Sequence, residues 1–247
     1  MTDTAKRAGQ WILWTLVTIG LGIVLLAPAG IVHAWVSDRI GSRAVAMPWI
    51  PLYADHAATT LIALVLIALL SKGRMREYGL QRPQGKSYVL AAIGWGTFFG
   101  IAMTLVDYLP SLLAHRPPEN YALTPANIGG WLSFEFLYVG FTEEIPFRGL
   151  LQTFLMQRTT GRIRIGRYDM HAAGVVLAVL FALAHAGNFW IRPFWFVLGQ
   201  QIYAIALGIL YAYWREKSGS LTASILGHNF SDGVEYAIVF LLGWLWR

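Results

Sequence analysis

Two adjacent carboxylates and an arginine interrupt an apolar stretch of the sequence, at Glu143, Glu144 and Arg148. An ionised side chain at membrane depth costs roughly 2.5–3.5 kcal/mol, so these charges need a structural or a chemical reason. Glu144 and Arg148 are four residues apart, so on a helix they share a face and can pair. Glu143 points about 100° away from Glu144 and need not be neutralised by Arg148. Glu143 is therefore a candidate for chemistry, although an ion-pair cluster that only locks the helix in place explains the charges equally well.

Pro146 lies between the two carboxylates and the arginine. It has no backbone N–H to donate, so the carbonyl of Thr142, four residues earlier, loses its helical partner. Irregular backbone at membrane depth is tolerated where it is buried in protein or lines a cavity. We therefore predict a bent helix beside a cavity at this position.

Two further apolar segments carry isolated polar side chains, His185 in one and His228 with Asp232 in the other. A lone histidine is more often a hydrogen-bonded core residue than a functional one. His228 and Asp232, four residues apart, can bind a metal, orient a catalytic imidazole or form a structural hydrogen bond. Glu143, His185 and His228 lie about 18, 22 and 14 Å from the predicted cytoplasmic ends of their segments, at 1.5 Å per residue. Because the three depths match, these side chains can meet in one cavity, which predicts an intramembrane active site. A purely structural pair does not require such a match in depth.

The composition is that of a membrane protein. Of the 247 residues, 56% are hydrophobic and 13% are charged, against about 25% charged in a soluble domain. The absence of cysteine excludes disulfides, thiol nucleophiles and cysteine-ligated metals. The net charge of +6 falls on one side of the predicted membrane, so we expect no nucleic-acid partner. The expected partners are the lipid bilayer and a peptide or protein substrate.

Seven segments have about the 20 apolar residues that a membrane span needs. They are 11–35, 50–71, 88–106, 128–155, 170–189, 194–214 and 221–246. The last is one long helix or two shorter ones broken at Gly233. The predicted fold is therefore an all-α polytopic transmembrane helix bundle of seven or eight spans. The first segment exceeds the about 7–15 residues of a signal-peptide core, so we predict an uncleaved helix.

Basic residues alternate between the connecting segments. Of the 19 Lys and Arg residues, 13 fall in the N-terminus and in the segments after the second, fourth and sixth spans. Cytoplasmic segments of membrane proteins carry such an excess. The pattern predicts a cytoplasmic N-terminus.

We predict a single integral membrane domain over 1–247, in two parts. The catalytic core is expected in 128–247, because the deep ionisable residues lie there. The polar residues of the first three spans lie near the outer ends of those spans, where water is within reach; they are His33, Asp55 and His56. We interpret 1–127 as a scaffold with an outer loop.

Three ordered motifs resemble a known family. They are Glu-Glu-x-x-x-Arg at 143–148, Phe-x-x-x-His at 181–185 and His-x-x-x-Asp at 228–232, on separate apolar segments. The set is similar to the CAAX protease and bacteriocin-processing (CPBP, or Abi) family of intramembrane endopeptidases, which includes the type II CAAX prenyl endopeptidase. The resemblance covers 130–234, a little under half of the chain.

The resemblance implies hydrolysis of peptide bonds in a water-filled cavity open to the cytoplasmic side. Glu143 and His185 are then expected to bind and activate a water molecule, with Glu143 as the general base. Glu144 and Arg148 are expected to hold Glu143 in place.

The family resemblance also implies that His228 and Asp232 stabilise the tetrahedral oxyanion. The type II CAAX enzyme has Asn where this chain has Asp232, and an ionised carboxylate only accepts hydrogen bonds. Asp232 is therefore protonated, orients His228 or helps to hold a metal. Glu143, His185 and His228 offer zinc a ligand set with an open position, so a divalent metal is compatible with the site but not required.

We therefore predict an intramembrane protease, glutamate- or metal-dependent. One alternative is a proton-coupled transporter or channel that uses Glu143, His185 and His228 as a relay. Transporters often show repeat symmetry between halves, whereas this chain confines its deep ionisable residues to one half. Another alternative is a non-catalytic, peptide-binding immunity protein. The compact chain with sparse loops favours a multi-pass protein of a bacterial inner membrane.

Overall fold

Most of the chain is helical. A computed structural model describes residues 3–246. The helices are α1 (Asp3–Ile40), α2 (Ser42–Ala46), α3 (Trp49–Ser71), α4 (Val89–Asp107), α5 (Leu109–Leu113), α6 (Pro125–Ser133), α7 (Val139–Glu144), α8 (Thr153–Met156), α9 (Ala172–Ala184), α10 (Phe194–Ser218) and α11 (Thr222–Leu245). Strands β1 (Arg162–Ile165) and β2 (Tyr168–His171) form an antiparallel hairpin. Short 3₁₀ turns occur at Met75–Tyr78 and Ala186–Trp190, and π-helical turns at Phe134–Tyr138 and Ile145–Gln152.

Within the described residues, five helical segments are long and apolar enough to cross a membrane. They are Thr4–Ile40, Trp49–Ser71, Val89–Asp107, Ala172–Trp190 and Phe194–Ser218. Each corresponds to a predicted span, so the protein is an integral membrane protein with a nearly all-α fold. The two other predicted spans are mostly helical and carry most of the buried polar side chains. The number of seven or eight spans and the cytoplasmic N-terminus stay predictions.

Two local features go beyond the sequence-based expectation. Helix α11 is continuous from Thr222 to Leu245, so no break occurs at Gly233. That glycine instead leaves room for the ring of Phe136, which a Cβ would meet. The β-hairpin was not predicted, because strands of four residues are too short to show a clear period.

The basic segments gather at one end of the bundle. Hydrogen bonds join these segments in turn; they run from Trp11 to Thr160, from Arg162 to Glu216 and from Arg215 to Glu77. We call this the cationic end, formed by residues 3–14, 72–88, 157–171 and 215–222. The opposite end is formed by residues 37–51, 107–125 and 186–196.

Helices α4 and α11 pack through small residues. Gly96 and Gly100 are four residues apart on α4, and a Cβ on either would lie 2.5 Å from a carbonyl oxygen of α11, that of Gly227 or Ser231. Small residues at this spacing let membrane helices approach closely. The contact holds α11, and with it His228, against the rest of the bundle.

Candidate active site

The two adjacent carboxylates end α7, between two π-helical turns. Phe134–Tyr138 precedes α7 and Ile145–Gln152 follows it. Such turns are rare and often lie at functional sites. The carbonyl of Thr142, which Pro146 leaves without a helical partner, accepts a hydrogen bond from Thr60 Oγ1 at 3.2 Å. The predicted departure from regular helix is present, and α3 satisfies the free backbone group.

Glu144 and Arg148 form a fully buried ion pair. Arg148 Nη1 lies 3.0 Å from Glu144 Oε1, and both side chains are 0% exposed. The guanidinium carbon also lies 4.3 Å from the ring centroid of Phe181 and 5.6 Å from that of Tyr211. Both rings add cation–π attraction. Arg148 is thus held by Glu144 and aromatic faces, as the four-residue spacing predicted.

His228 on α11 lies among three carboxylates. Its Nδ1 is 2.9 Å from Glu144 Oε1. Its Nε2 is 3.2 Å from Asp232 Oδ2 and 3.7 Å from Glu143 Oε2. Asp232 also accepts a hydrogen bond from Ser231 Oγ at 2.9 Å. Of the three roles predicted for Asp232, these contacts favour orientation of the His228 ring.

An amide beside His228 joins α11 to α7. Asn229 Oδ1 accepts a hydrogen bond from the backbone N–H of Gly140 at 2.7 Å. A Cβ on Gly140 would lie 2.5 Å from the carbonyl oxygen of Ile225, so glycine permits this close approach. The imidazole of His228 is thereby brought against the carboxylates that end α7.

His185 lies at the C-terminal end of α9. Its Nδ1 is 2.9 Å from the carbonyl oxygen of Phe181. A carbonyl accepts, so Nδ1 carries the proton and Nε2 of the neutral ring is left as an acceptor. The Phe181 ring lies 4.9 Å from the His185 ring and 5.9 Å from the His228 ring, and it spaces the two histidines.

Residues from the first two predicted spans reach the same site. His56 Nε2 lies 3.2 Å from Glu143 Oε1, and His56 Nδ1 lies 2.6 Å from Asp55 Oδ1. The other Asp55 oxygen is 2.6 Å from His33 Nδ1. All three residues lie in the segment interpreted from the sequence as a scaffold, so they were missed as site residues. The signal was an Asp-His pair inside an apolar helix, but spacing along one helix does not tell which other helix it faces.

Two cavities meet at this cluster. The larger has a volume of about 530 Å³ and the smaller of about 260 Å³. His56, Glu143 and His185 line both cavities, whereas His228 and Asp232 line the larger one. Glu143 therefore lies at the junction, with room on two sides for water and an extended chain.

The larger cavity extends toward the end of the bundle opposite to the cationic end. Its lining includes Ser37, Pro48 and Ile191. The cavity and the N-terminus therefore lie toward opposite ends. His185 follows the end of α9 at Ala184 and lies toward the same end of the bundle. The cytoplasmic N-terminus and the side of the membrane on which the cavity opens stay predictions.

The side chains in the described part of the chain do not assemble a metal-binding group. Among residues 3–246, no set of three or more His, Cys, Asp or Glu side chains is placed to hold a metal ion. Glu143, His185 and His228 share a cavity, but both ring nitrogens of His228 already face carboxylates. The ligand set considered from the sequence therefore does not fit zinc in this arrangement, and a metal cofactor stays a prediction.

Comparison with known proteins agrees with the motif resemblance. The sequence profile of a family described as Type II CAAX prenyl endopeptidase Rce1-like matches residues 125–234. This segment is a little under half of the chain and contains all six predicted site residues. No curated protein and no solved structure matches the chain. The predicted similarity to the CAAX protease and bacteriocin-processing family is confirmed over this segment, whereas His33, Asp55 and His56 lie outside it.

Proposed function

We propose that the protein is an intramembrane endopeptidase that hydrolyses peptide bonds with a water molecule activated by Glu143. The observation that carries the proposal is the position of the Glu143 carboxylate. It lies at the junction of two cavities, with His56, His185 and His228 from three helices around it. The nearby arginine is paired elsewhere, so the carboxylate keeps its capacity to accept a proton. The similarity to the Rce1-like family supports a CAAX-type protease.

Glu143 acts as the general base in the proposed reaction. It takes a proton from a water held between its carboxylate and His185 Nε2, and the water oxygen attacks the carbonyl carbon of the scissile bond. When the tetrahedral intermediate collapses, the carbon–nitrogen bond breaks. Glu143 then returns the proton to the departing nitrogen, which leaves as an amine.

His228 stabilises the negative charge of the intermediate. Its Nε2 faces the cavity beside Glu143 and is shared with Asp232 at 3.2 Å. A hydrogen-bond donor aimed at the developing oxyanion lowers the barrier. Glu144 Oε1 lies 2.9 Å from the other ring nitrogen of His228, Nδ1, and this contact fixes the ring. Asp232 is therefore a positioning residue rather than a donor.

His56 orients the general base. Asp55 and the carbonyl of Leu52 both accept from His56 Nδ1, at 2.6 and 2.9 Å, which fixes the ring. His56 Nε2 then donates to Glu143 Oε1 and leaves the second carboxylate oxygen for water. In this proposal the N-terminal spans contribute residues to the site. The division into a scaffold (1–127) and a catalytic core (128–247) then describes only where the three motifs lie in the sequence.

The substrate is a peptide or protein that reaches the site within the lipid bilayer. The matching family is that of a CAAX prenyl endopeptidase, so prenylated CAAX proteins are one candidate. If the protein acts in a bacterial inner membrane, unprenylated precursors and membrane proteins are the candidates instead. A Glu143-dependent cleavage product, identified by comparing proteomes of cells with and without a functional site, would name the substrate.

Proton transport is the second candidate function. The continuous contacts from His33 through Asp55 and His56 to Glu143 are of the kind that a proton relay uses. Proteoliposomes with an internal pH dye distinguish the two functions, because a protease without transport activity produces no protein-dependent proton flux.

Replacing His185 by Ala is expected to lower peptide cleavage about 10²–10⁴-fold, since one positioned acid–base group typically contributes that much. Cleavage of a peptide library by purified protein in liposomes is the measurement, with and without EDTA. His115→Ala is the matched control, because that histidine lies in the loop after α5 and lines neither cavity. Cleavage by His185→Ala at the wild-type rate would contradict the assignment.

The proposed orientation places the cavity opening on the face away from the cytoplasm. The support is the separation of the cationic end from the cavity end, together with the excess of Lys and Arg in cytoplasmic segments. The substrate segment then enters from the non-cytoplasmic side.

Single-cysteine labelling tests this orientation, since the chain has no cysteine of its own. In intact cells, a membrane-impermeant maleimide is expected to label Ser42→Cys at the cavity end. Ser87→Cys at the cationic end is expected to react only after lysis. Both serines are exposed, so access rather than burial decides the result. The reverse labelling pattern would place the cavity on the cytoplasmic face.

A further inference from the structure

Three carboxylates of the larger cavity take no part in the proposed hydrolysis. They are Asp107 at the end of α4, Glu135 on the π-helical turn before α7 and Glu235 on α11. We call these three residues the acidic arm. Glu135 lies within electrostatic range of Asp232, and Asp107 lies at the end of the bundle toward which the cavity extends. The arm therefore leads from the oxyanion site toward the opening.

The acidic arm contains three carboxyl groups and few polar partners for them. Glu135 is 5% exposed and Glu235 is 7% exposed, yet both line the cavity. Among the described residues, no hydrogen bond reaches the Glu135 carboxylate. Asp107 accepts from the hydroxyl of Tyr203 at 2.7 Å and also lies within interaction range of Glu235. Buried carboxylates are costly to ionise without a counter-charge and otherwise take up a proton, so a cation that enters the arm would stabilise their ionised form.

No lysine or arginine in the described part of the chain pairs with the arm, although His56 and His228 lie within electrostatic range of Glu135. In the described part of the chain, Arg192 is the one Lys or Arg that lines the cavity. It pairs with Glu119 at 2.8 Å. Burial acts to lower the pKa of Arg192, but Glu119 together with Tyr121 and Tyr108 raises it overall. The charge of Arg192 is therefore already matched, outside the arm.

Aromatic rings line the cavity alongside these carboxylates. Trp131 stacks on Tyr236 with ring centroids 4.9 Å apart, and Tyr121 packs on Trp131 at 5.2 Å. Ring faces attract ammonium and guanidinium groups. Lys and Arg side chains combine such a head group with an apolar stem, so they match a cavity that offers both carboxylates and rings.

We propose that the acidic arm is a substrate subsite for a lysine or arginine side chain near the scissile bond. The proposal rests on the proposed protease function, because it names the substrate class of the same site. A cationic side chain supplies a counter-charge that no lysine or arginine of the described residues gives to the arm, whereas an acidic one adds a like charge. The arm thus favours substrates with a basic side chain at this position and disfavours substrates with an acidic one.

Cleavage-site mapping is the first test. Wild-type protein in liposomes is given a proteome-derived peptide library, and its cut sites are read by mass spectrometry. We expect Lys or Arg to be enriched about tenfold, equivalent to about 1.4 kcal/mol, at one fixed position near the cut. Glu235→Lys is expected to shift that position toward Asp and Glu, and Glu135→Gln to weaken the enrichment. Glu77→Gln, at the cationic end, is the matched control and keeps the wild-type profile.

Binding to the Glu143→Gln variant is the second test, and it needs no catalysis. Calorimetry compares two twelve-residue peptides that differ only in a central Lys or norleucine. Tighter binding of the Lys peptide supports the subsite. If such binding is found but no cleavage is detected, the protease proposal is overturned and the subsite stands. Cleavage with no basic preference overturns the subsite and leaves the protease standing. Equal binding of both peptides also overturns the subsite, and equal binding without cleavage overturns both proposals.

Discussion

Glu143→Gln is expected to lower peptide cleavage about 10²–10⁴-fold while leaving expression and membrane insertion intact. Gln has nearly the shape of Glu and its side-chain oxygen can still accept the hydrogen bond from His56 Nε2, which lies 3.2 Å from the carboxylate in the native protein. What it loses is the ability to take a proton from water. The loss should therefore fall on kcat more than on KM.

The measurement is the initial rate of cleavage in liposomes at equal protein amounts, with thermal unfolding recorded alongside. Glu77→Gln is the matched control, since that carboxylate is half-exposed at the cationic end and is expected to leave the rate unchanged. Normal turnover by a well-folded Glu143→Gln protein would rule out Glu143 as the general base. The Glu144 carboxylate cannot replace it, because it is fully buried between Arg148 and His228.

Glu144→Gln is expected to destabilise the protein by about 3–5 kcal/mol, the usual cost of leaving one partner of a buried ion pair unmatched. Arg148 is 0% exposed, so its charge would have no water and no carboxylate beside it. The same change also removes the charge that fixes His228 Nδ1. We expect a large fall in thermal unfolding temperature in detergent, together with a loss of cleavage.

A double variant separates charge from shape. Glu144→Gln combined with Arg148→Met removes both charges and keeps similar side-chain lengths, so it should be more stable than Glu144→Gln alone. The exposed pair of Arg74 and Glu77 is the control, where Glu77→Gln should cost at most about 1 kcal/mol. A Glu144→Gln protein with an unchanged unfolding temperature would show that the buried pair does not stabilise the bundle.

The sequence determined those features that depend on neighbours along the chain. Five spans followed from apolar length, because a membrane crossing needs a run of about 20 such residues. The Glu144–Arg148 pair followed from the four-residue spacing, since residues at that distance share a helix face. The free carbonyl of Thr142 followed from Pro146, which has no N–H to donate. Each of these rests on geometry within one segment.

Only the tertiary structure decided which segments face one another. His56 contacts Glu143 although 87 residues separate them in the sequence. The Thr60 hydroxyl donates a hydrogen bond to the carbonyl oxygen of Thr142, which Pro146 leaves without its helical partner. The same packing put the cavity toward the end opposite to the basic segments, which depth counted along single helices does not reveal. The sequence therefore named candidate groups for chemistry, and helix packing chose their partners. The physical reason is that helical periodicity fixes the face on which a side chain lies, whereas contacts between helices depend on small residues such as Gly100 and Gly140, whose partners no spacing along the chain reveals.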